Sequence, residues 1–222
     1  MSSRSDESTV ASADRIAGKS RRDGLGRGAP SGRPAAASVF QASSTPSIVA
    51  DVPTLDRDRL DAILTAVCER LDGEWLLIGG AIAALWFEPR RTTEDVDIVG
   101  LAGKPSERLA LFELADSLGL PVESMNSAAD FFVHRIPDWR SQLVLFRSGA
   151  KGRVFRPTAT LFLLLKVRRL DERDLEDCRA LIASGERFEA TRVSEAIDAL
   201  PPPADEDVAA RRTELRRLVS GR

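Results

Sequence analysis

The chain of 222 residues predicts an α/β fold of the α+β kind: a small mixed β-sheet with flanking helices and a helical C-terminal part. Three observations point there. Short apolar runs bounded by Gly and Pro recur between residues 75 and 155, as strands do. Stretches with apolar residues at three- and four-residue spacing lie before and between them, and from about residue 158 only helical patterns remain. Apolar residues make up 43% of the chain, which is material for a core of ordinary size.

Residues 1–48 are rich in Ser, Ala, Gly, Pro and Arg, hold almost no large apolar side chain and show no period, so a disordered tail is expected there. The folded domain is expected over residues 49–222. It opens with a helix in "TLDRDRLDAILTAVCERL", where Leu55, Leu60, Ile63, Leu64, Val67 and Leu71 recur at helical spacing behind Thr54 as N-cap. "WLLIGG" reads as a strand ending in glycines, "AIAALWF" as a short helix and "EDVDIVG" as a second strand closed by Gly100. "SERLALFELADSLG" follows as a helix, with Leu109, Leu111, Phe112, Ala115 and Leu118 on its apolar side and Gly119 as its stop. "FFVHRI", "SQLVLFR" and "GRVF" then read as short strands separated by Pro137, Gly149 and Gly152. "TATLFLLLKVRRL", "DERDLEDCRALIAS", "RVSEAIDAL" and "DEDVAARRTELRRLVS" complete the chain as helices. There is no internal repeat.

Bulk properties exclude some classes of function. Net charge is −2; residues 1–50 hold seven Lys/Arg against four Asp/Glu, leaving 25 against 30 for the remainder, so no global basic field marks the domain for nucleic acid. Cys68 and Cys178 stand far apart without metal-ligand spacing and read as reduced thiols. No window approaches the length of a membrane span and no secretory signal is evident, so a cytoplasmic protein with no membrane partner is expected.

The chemistry concentrates in "LLIGGAIAALWFEPRRTTEDVDIVG". Side chains alternate along a strand, so Asp95 and Asp97 share one face while Val96 and Ile98 take the other. Two neighbouring carboxylates repel unless a cation lies between them, and a Mg²⁺ ion accepts one or two such ligands while water and phosphate oxygens fill the rest. Gly79 and Gly80, free of Cβ atoms, let backbone N–H groups approach a phosphate at the start of the next helix; alone, such a pair is usually a simple turn. Arg91 can clamp phosphate, and the Thr93 hydroxyl can bond phosphate or the strand end. Together the stretch is consistent with handling a nucleoside triphosphate. "GGAIAA" lacks the G-x-G-x-x-G of a dinucleotide-binding turn.

The glycine pair followed by R-x-T-x-D-x-D-I, here Arg91, Thr93, Asp95, Asp97 and Ile98, resembles the signature of the DNA polymerase beta-like nucleotidyltransferase superfamily. Farther on, "LFLLLKVRRLDERDLEDCRALI" looks like the second signature of a branch found in bacterial toxin-antitoxin and abortive-infection systems, with Lys166 on one helix and Asp174 and Asp177 on the next. The resemblance spans residues 75–182. It implies Mg²⁺ held by Asp95 and Asp97 as the catalytic pair, and a triphosphate held by Gly79, Gly80, Arg91, Thr93 and Lys166. The activity it implies is nucleotidyl transfer to RNA, such as tRNA, or to protein, with a cognate toxin or antitoxin as partner. A catalytically inactive member serving as a binding protein or antitoxin is the alternative.

The chain departs from that pattern in one respect: "SQLVLFR" holds no third acid, and Glu123, Asp130 and Asp138 are the nearest candidates. Read from the residues alone, Lys166 is the only Lys in its apolar helix and either snorkels or reaches a phosphate or carboxylate. Asp171 resembles an N-cap, and Asp174 and Asp177, three apart, can pair with Arg168, Arg169 or Arg173. His134 is expected at an exposed strand position, and Trp75, Trp86 and Trp139 in packing roles. The clusters "KVRRLDER" and "RRTELRR" read as solvated helix faces, although a tRNA-binding edge would look similar.

Overall fold

Helix α1 (Arg57–Arg70) starts where the Asp56 carboxylate accepts the Arg59 backbone N–H at 2.9 Å, and it buries Leu60, Ile63, Leu64 and Val67. Thr54, the expected cap, stands too early, because Leu55 is drawn into an antiparallel bridge with Thr93 before the helix begins. The computed structural model describes residues 54–127, 130–203 and 205–221; the tail expected over residues 1–48 lies outside the described residues.

The expected class holds: five strands form a mixed sheet in the order β3-β2-β1-β5-β4, with helices flanking it and more at the C-terminal end. Strand β1 (Gly73–Ile78) is central, and Trp75 to Ile78 are all buried, as a strand covered on both faces requires. It pairs antiparallel with β2 (Val96–Gly100) and parallel with β5 (Gly152–Pro157). Beyond β2 lies β3 (Met125–Asn126), parallel to it; beyond β5 lies β4 (Leu143–Ser148), antiparallel. Helix α2 (Gly79–Trp86) packs on β1 and β2, while α1 packs on β5 and β4. Helices α5 (Ala159–Val167), α6 (Glu172–Ala183), α7 (Ala190–Asp198) and α8 (Glu206–Ser220) pack on one another after β5. No helix among the described residues is long and apolar enough to cross a membrane. Cys68 and Cys178 are free and buried.

Three local expectations are corrected. The pair Gly79–Gly80 opens α2 rather than ending the strand. "FFVHRI" is not a strand: its first residues lie in the short helix α4 (Asp130–Val133), Val133 and Ile136 are buried, and Phe131, Phe132 and His134 are exposed. That is a three-residue spacing, which overrides the β-propensity of the residues. In α3 (Pro105–Ser117) the buried side is Leu111, Leu114 and Ala115; Leu109 and Phe112 face outward. The buried stripe at 111, 114 and 115 follows the i, i+3, i+4 rule, and 109 and 112, an i, i+3 pair of their own, lie outside it.

Candidate functional site

The antiparallel pairing of β1 with β2 sets the geometry. Asp97 is in register with Ile78, the residue just before the glycine pair, so the start of α2 and the acidic end of β2 meet. Gly79 has φ +69°, and a Cβ built there would overlap the Asp97 carboxylate. Only glycine suits the position on both counts. A Cβ on Gly80 would stand 3.0 Å from Thr93 Oγ1 and 3.3 Å from an Arg91 guanidinium nitrogen, so these three residues, with Gly79 and Asp97, form one wall. The first N–H groups of α2 have no intrahelical acceptor and open toward the same place.

Thr93 is held by its bridge to Leu55, and its hydroxyl donates to Asp95 Oδ1 at 3.1 Å. Asp95 precedes β2 and Asp97 lies within it. Among the described residues no donor or basic group is bonded to the Asp97 carboxylate. Burial, and then the charge of Asp95, pushes its pKa up to about 6.

The opposite wall comes from the turn between α5 and α6. Leu170, at φ 45°, reverses the chain, and the Asp171 carboxylate caps α6 by accepting the Asp174 N–H at 2.8 Å. Asp174 and Asp177 therefore face α5, and the Lys166 ammonium bonds both, at 2.7 and 2.9 Å. Arg169 donates twice to Asp174, at 2.8 and 2.9 Å, and Arg91 Nε donates to Asp177 at 2.9 Å. Arg169 also lies 3.1 Å from the Asp171 carboxylate, so the three cations meet the carboxylates of Asp171, Asp174 and Asp177, and Arg173 adds a further guanidinium to the same side of the cleft. Burial works against the Lys166 ammonium, but Asp177 and Asp174 outweigh it and hold its pKa above the usual lysine range. Burial likewise opposes the Asp174 carboxylate, and Arg169 with Lys166 outweighs that, keeping it below the usual range. Arg91 bridges the walls, because it touches both the Gly80 side and Asp177.

The cleft between these walls has a volume of about 560 Å³. All seven residues singled out in the sequence, Gly79, Gly80, Arg91, Thr93, Asp95, Asp97 and Lys166, line it. The Lys166 ammonium nevertheless points to carboxylates, and the residue is only 8% exposed. Of the three acids considered as a third carboxylate, Glu123 lines the cleft. Asp138 caps a turn elsewhere, and the Asp130 side chain lies outside the described residues. Arg169 and Arg173 also face the cleft; of the arginines expected to pair with Asp174 and Asp177, Arg169 does so with Asp174, and Lys166 and Arg91 supply the other bonds. Glu94, Pro121 and Ser124, which sequence patterning did not single out, also line the cleft. The only signal for Ser124 was its closeness to Glu123. His134 is no strand residue, and its ring meets that of Trp139.

No family model, no curated protein and no solved structure matches this chain. Two neighbouring carboxylates without a bonded base among the described residues, one of them titrating high because of burial and like charge, fit a hard divalent cation. No group of three or more metal-ligating side chains occurs among the described residues, so water and a bound anion would fill the other ligand positions.

Proposed function

We propose that the chain is a Mg²⁺-dependent nucleotidyltransferase that moves a nucleotidyl group from a nucleoside triphosphate to RNA, such as tRNA, or to protein. In this reading it is cytoplasmic, with the nucleotidyltransferase fold of the superfamily its signatures resemble, and it serves beside a cognate toxin or antitoxin. One observation carries the reading. The Asp97 carboxylate, which bonds no cation among the described residues, stands beside Asp95 in a cleft whose other walls are a glycine-opened helix start and the cationic groups of Arg91, Lys166, Arg169 and Arg173.

In this reading Asp95 and Asp97 hold Mg²⁺, which on binding neutralises charge on the triphosphate and its leaving group. The backbone at Gly79 and Gly80 receives phosphate oxygens, the Thr93 hydroxyl orients Asp95, and Arg91 stands over the phosphates. Lys166 contributes positive charge and keeps Asp174 and Asp177 in place, so that Arg169 and Arg91 stay aimed. An acceptor hydroxyl oxygen bonds to the α-phosphorus as the bond from that phosphorus to the β-bridging oxygen breaks. Pyrophosphate leaves, and the hydroxyl proton passes to water.

The test is incubation of the protein with each α-labelled nucleoside triphosphate, Mg²⁺, total RNA and cell lysate, beside Asp95→Asn. Label on RNA or protein that is lost in the variant is the expected result, with a loss of at least about a hundredfold. Equal labelling by the folded variant would remove Asp95 from the mechanism.

A second reading is favoured by β3, where the residue in register with Asp97 is Asn126 rather than an acid. A protein so built would bind a nucleotide without transferring it and would act as a binding protein or antitoxin. Nucleotide binding with no label on any acceptor would decide for it.

A further inference from the structure

A second groove, of about 400 Å³, lies between α5, α7 and the turn that follows α4. Its floor is apolar, with Leu164, Val167 and Ile136 all buried. Its rim carries Arg135, Arg168 and Arg192 against a single acid, Glu195. This is a local concentration of positive charge in a domain whose acids outnumber its bases. Arg168 directly precedes Arg169, which lines the cleft described above, so the groove and the cleft take their lining from different faces of the same C-terminal end of α5.

Exposed aromatic rings stand beside the groove. Phe131 and Phe132 are 58% and 50% exposed, and their centroids lie 5.6 Å apart, edge to face. The Arg135 guanidinium sits 3.7 Å from the Phe131 ring centre, which ties these rings to the rim. Guanidinium groups match phosphates, and exposed rings stack unpaired bases; the combination suits a single strand, since a duplex has no free base face to offer.

We propose that this groove binds a single-stranded polynucleotide, and that, on the transfer reading above, it delivers the strand's end to the cleft as acceptor. The backbone phosphates meet Arg135, Arg168 and Arg192, and a base stacks at Phe131 or Phe132.

Fluorescence anisotropy of the full chain with labelled single strands of about 12 nucleotides, RNA and DNA of one sequence, tests this across a range of NaCl concentrations. About three phosphate contacts predict a log–log salt slope of about −2. Arg135→Gln/Arg168→Gln should weaken binding at least about tenfold. Glu195→Gln, which removes the opposing charge, should tighten it by a few fold, a gain that misfolding cannot imitate. Affinity for a fluorescent Mg²⁺-nucleoside triphosphate should stay the same in both variants. A preference for RNA over DNA, or equal binding, supports the groove in either case. Absence of binding to both strands, or affinity that neither variant moves, overturns it. If strand binding follows these charges while the wild type neither binds nor transfers nucleotide, the groove stands and the transfer reading falls. If a protein is labelled and no strand binds, the reverse holds.

Discussion

Asp97 concentrates the conflict on which the candidate site depends. Its carboxylate is mostly buried, faces the charge of Asp95 and bonds no cation among the described residues, so its folded pKa of about 6 lies above the ordinary 3.8. A carboxylate raised in this way favours the folded state most below its unfolded pKa, and that contribution disappears as pH climbs through 6. In metal-free protein, Asp97→Asn should therefore raise stability at pH 8 by up to about 3 kcal/mol, at about 1.4 kcal/mol per pKa unit. The gain should shrink as pH falls toward 4. Calorimetric melts of both proteins in EDTA at pH 5 and pH 8 would show it; parallel curves would mean that the carboxylate is not strained as the geometry requires. A group that destabilises the metal-free fold and lines a cleft is what a charge-binding role leads one to expect.

At the scale of elements, the cleft depends on how α5 and α6 are locked together. Lys166 bonds two carboxylates from consecutive turns of α6 while Arg169 and Arg91 take their remaining oxygens. Replacing Lys166 with Met leaves those acids buried with partial compensation, and should cost about 3 kcal/mol in a urea melt. Adding Asp177→Asn should recover part of that loss; a cost below about 1 kcal/mol for Lys166→Met would show that the ammonium does not hold the helices. Much of this was legible in the sequence. Asp171 announced the cap, the three-residue spacing of Asp174 and Asp177 announced a shared face, and the glycine pair and aspartates fell at the ends of two runs able to pair antiparallel. What was not legible has tertiary causes. Arg91 reaches Asp177 across 86 residues, and Leu55 pins Thr93 by a bridge that displaces the helix cap. β3 is two residues long, and "FFVHRI" carries strand-forming residues on a helical spacing, so neither offers a local period strong enough to detect.

At the scale of the whole molecule, the proposed site has no scaffold in any single element. The start of α2 supplies the glycines, the segment between α2 and β2 supplies Arg91, Thr93 and Asp95, β2 supplies Asp97, and α5 with the turn into α6 supplies Lys166 and Arg169, so the cleft exists only when sheet and C-terminal helices are docked. A ligand that spans both walls must then stabilise the complete domain and not one part of it. With Mg²⁺ and a non-hydrolysable nucleoside triphosphate at about a hundred times the dissociation constant, mass action gives about 2.7 kcal/mol. For a domain of this size that corresponds to a rise in melting temperature of about 5–10 °C. The rise should require both components, because neither carboxylate pair nor phosphates are neutralised without the cation, and it should be absent in Asp95→Asn/Asp97→Asn. A shift produced equally by nucleotide without Mg²⁺ would leave the basic wall as the binding element and remove the aspartates from the site. A shift that depends on Mg²⁺ and on both aspartates, seen in a single cooperative transition, would tie the two walls into one functional unit.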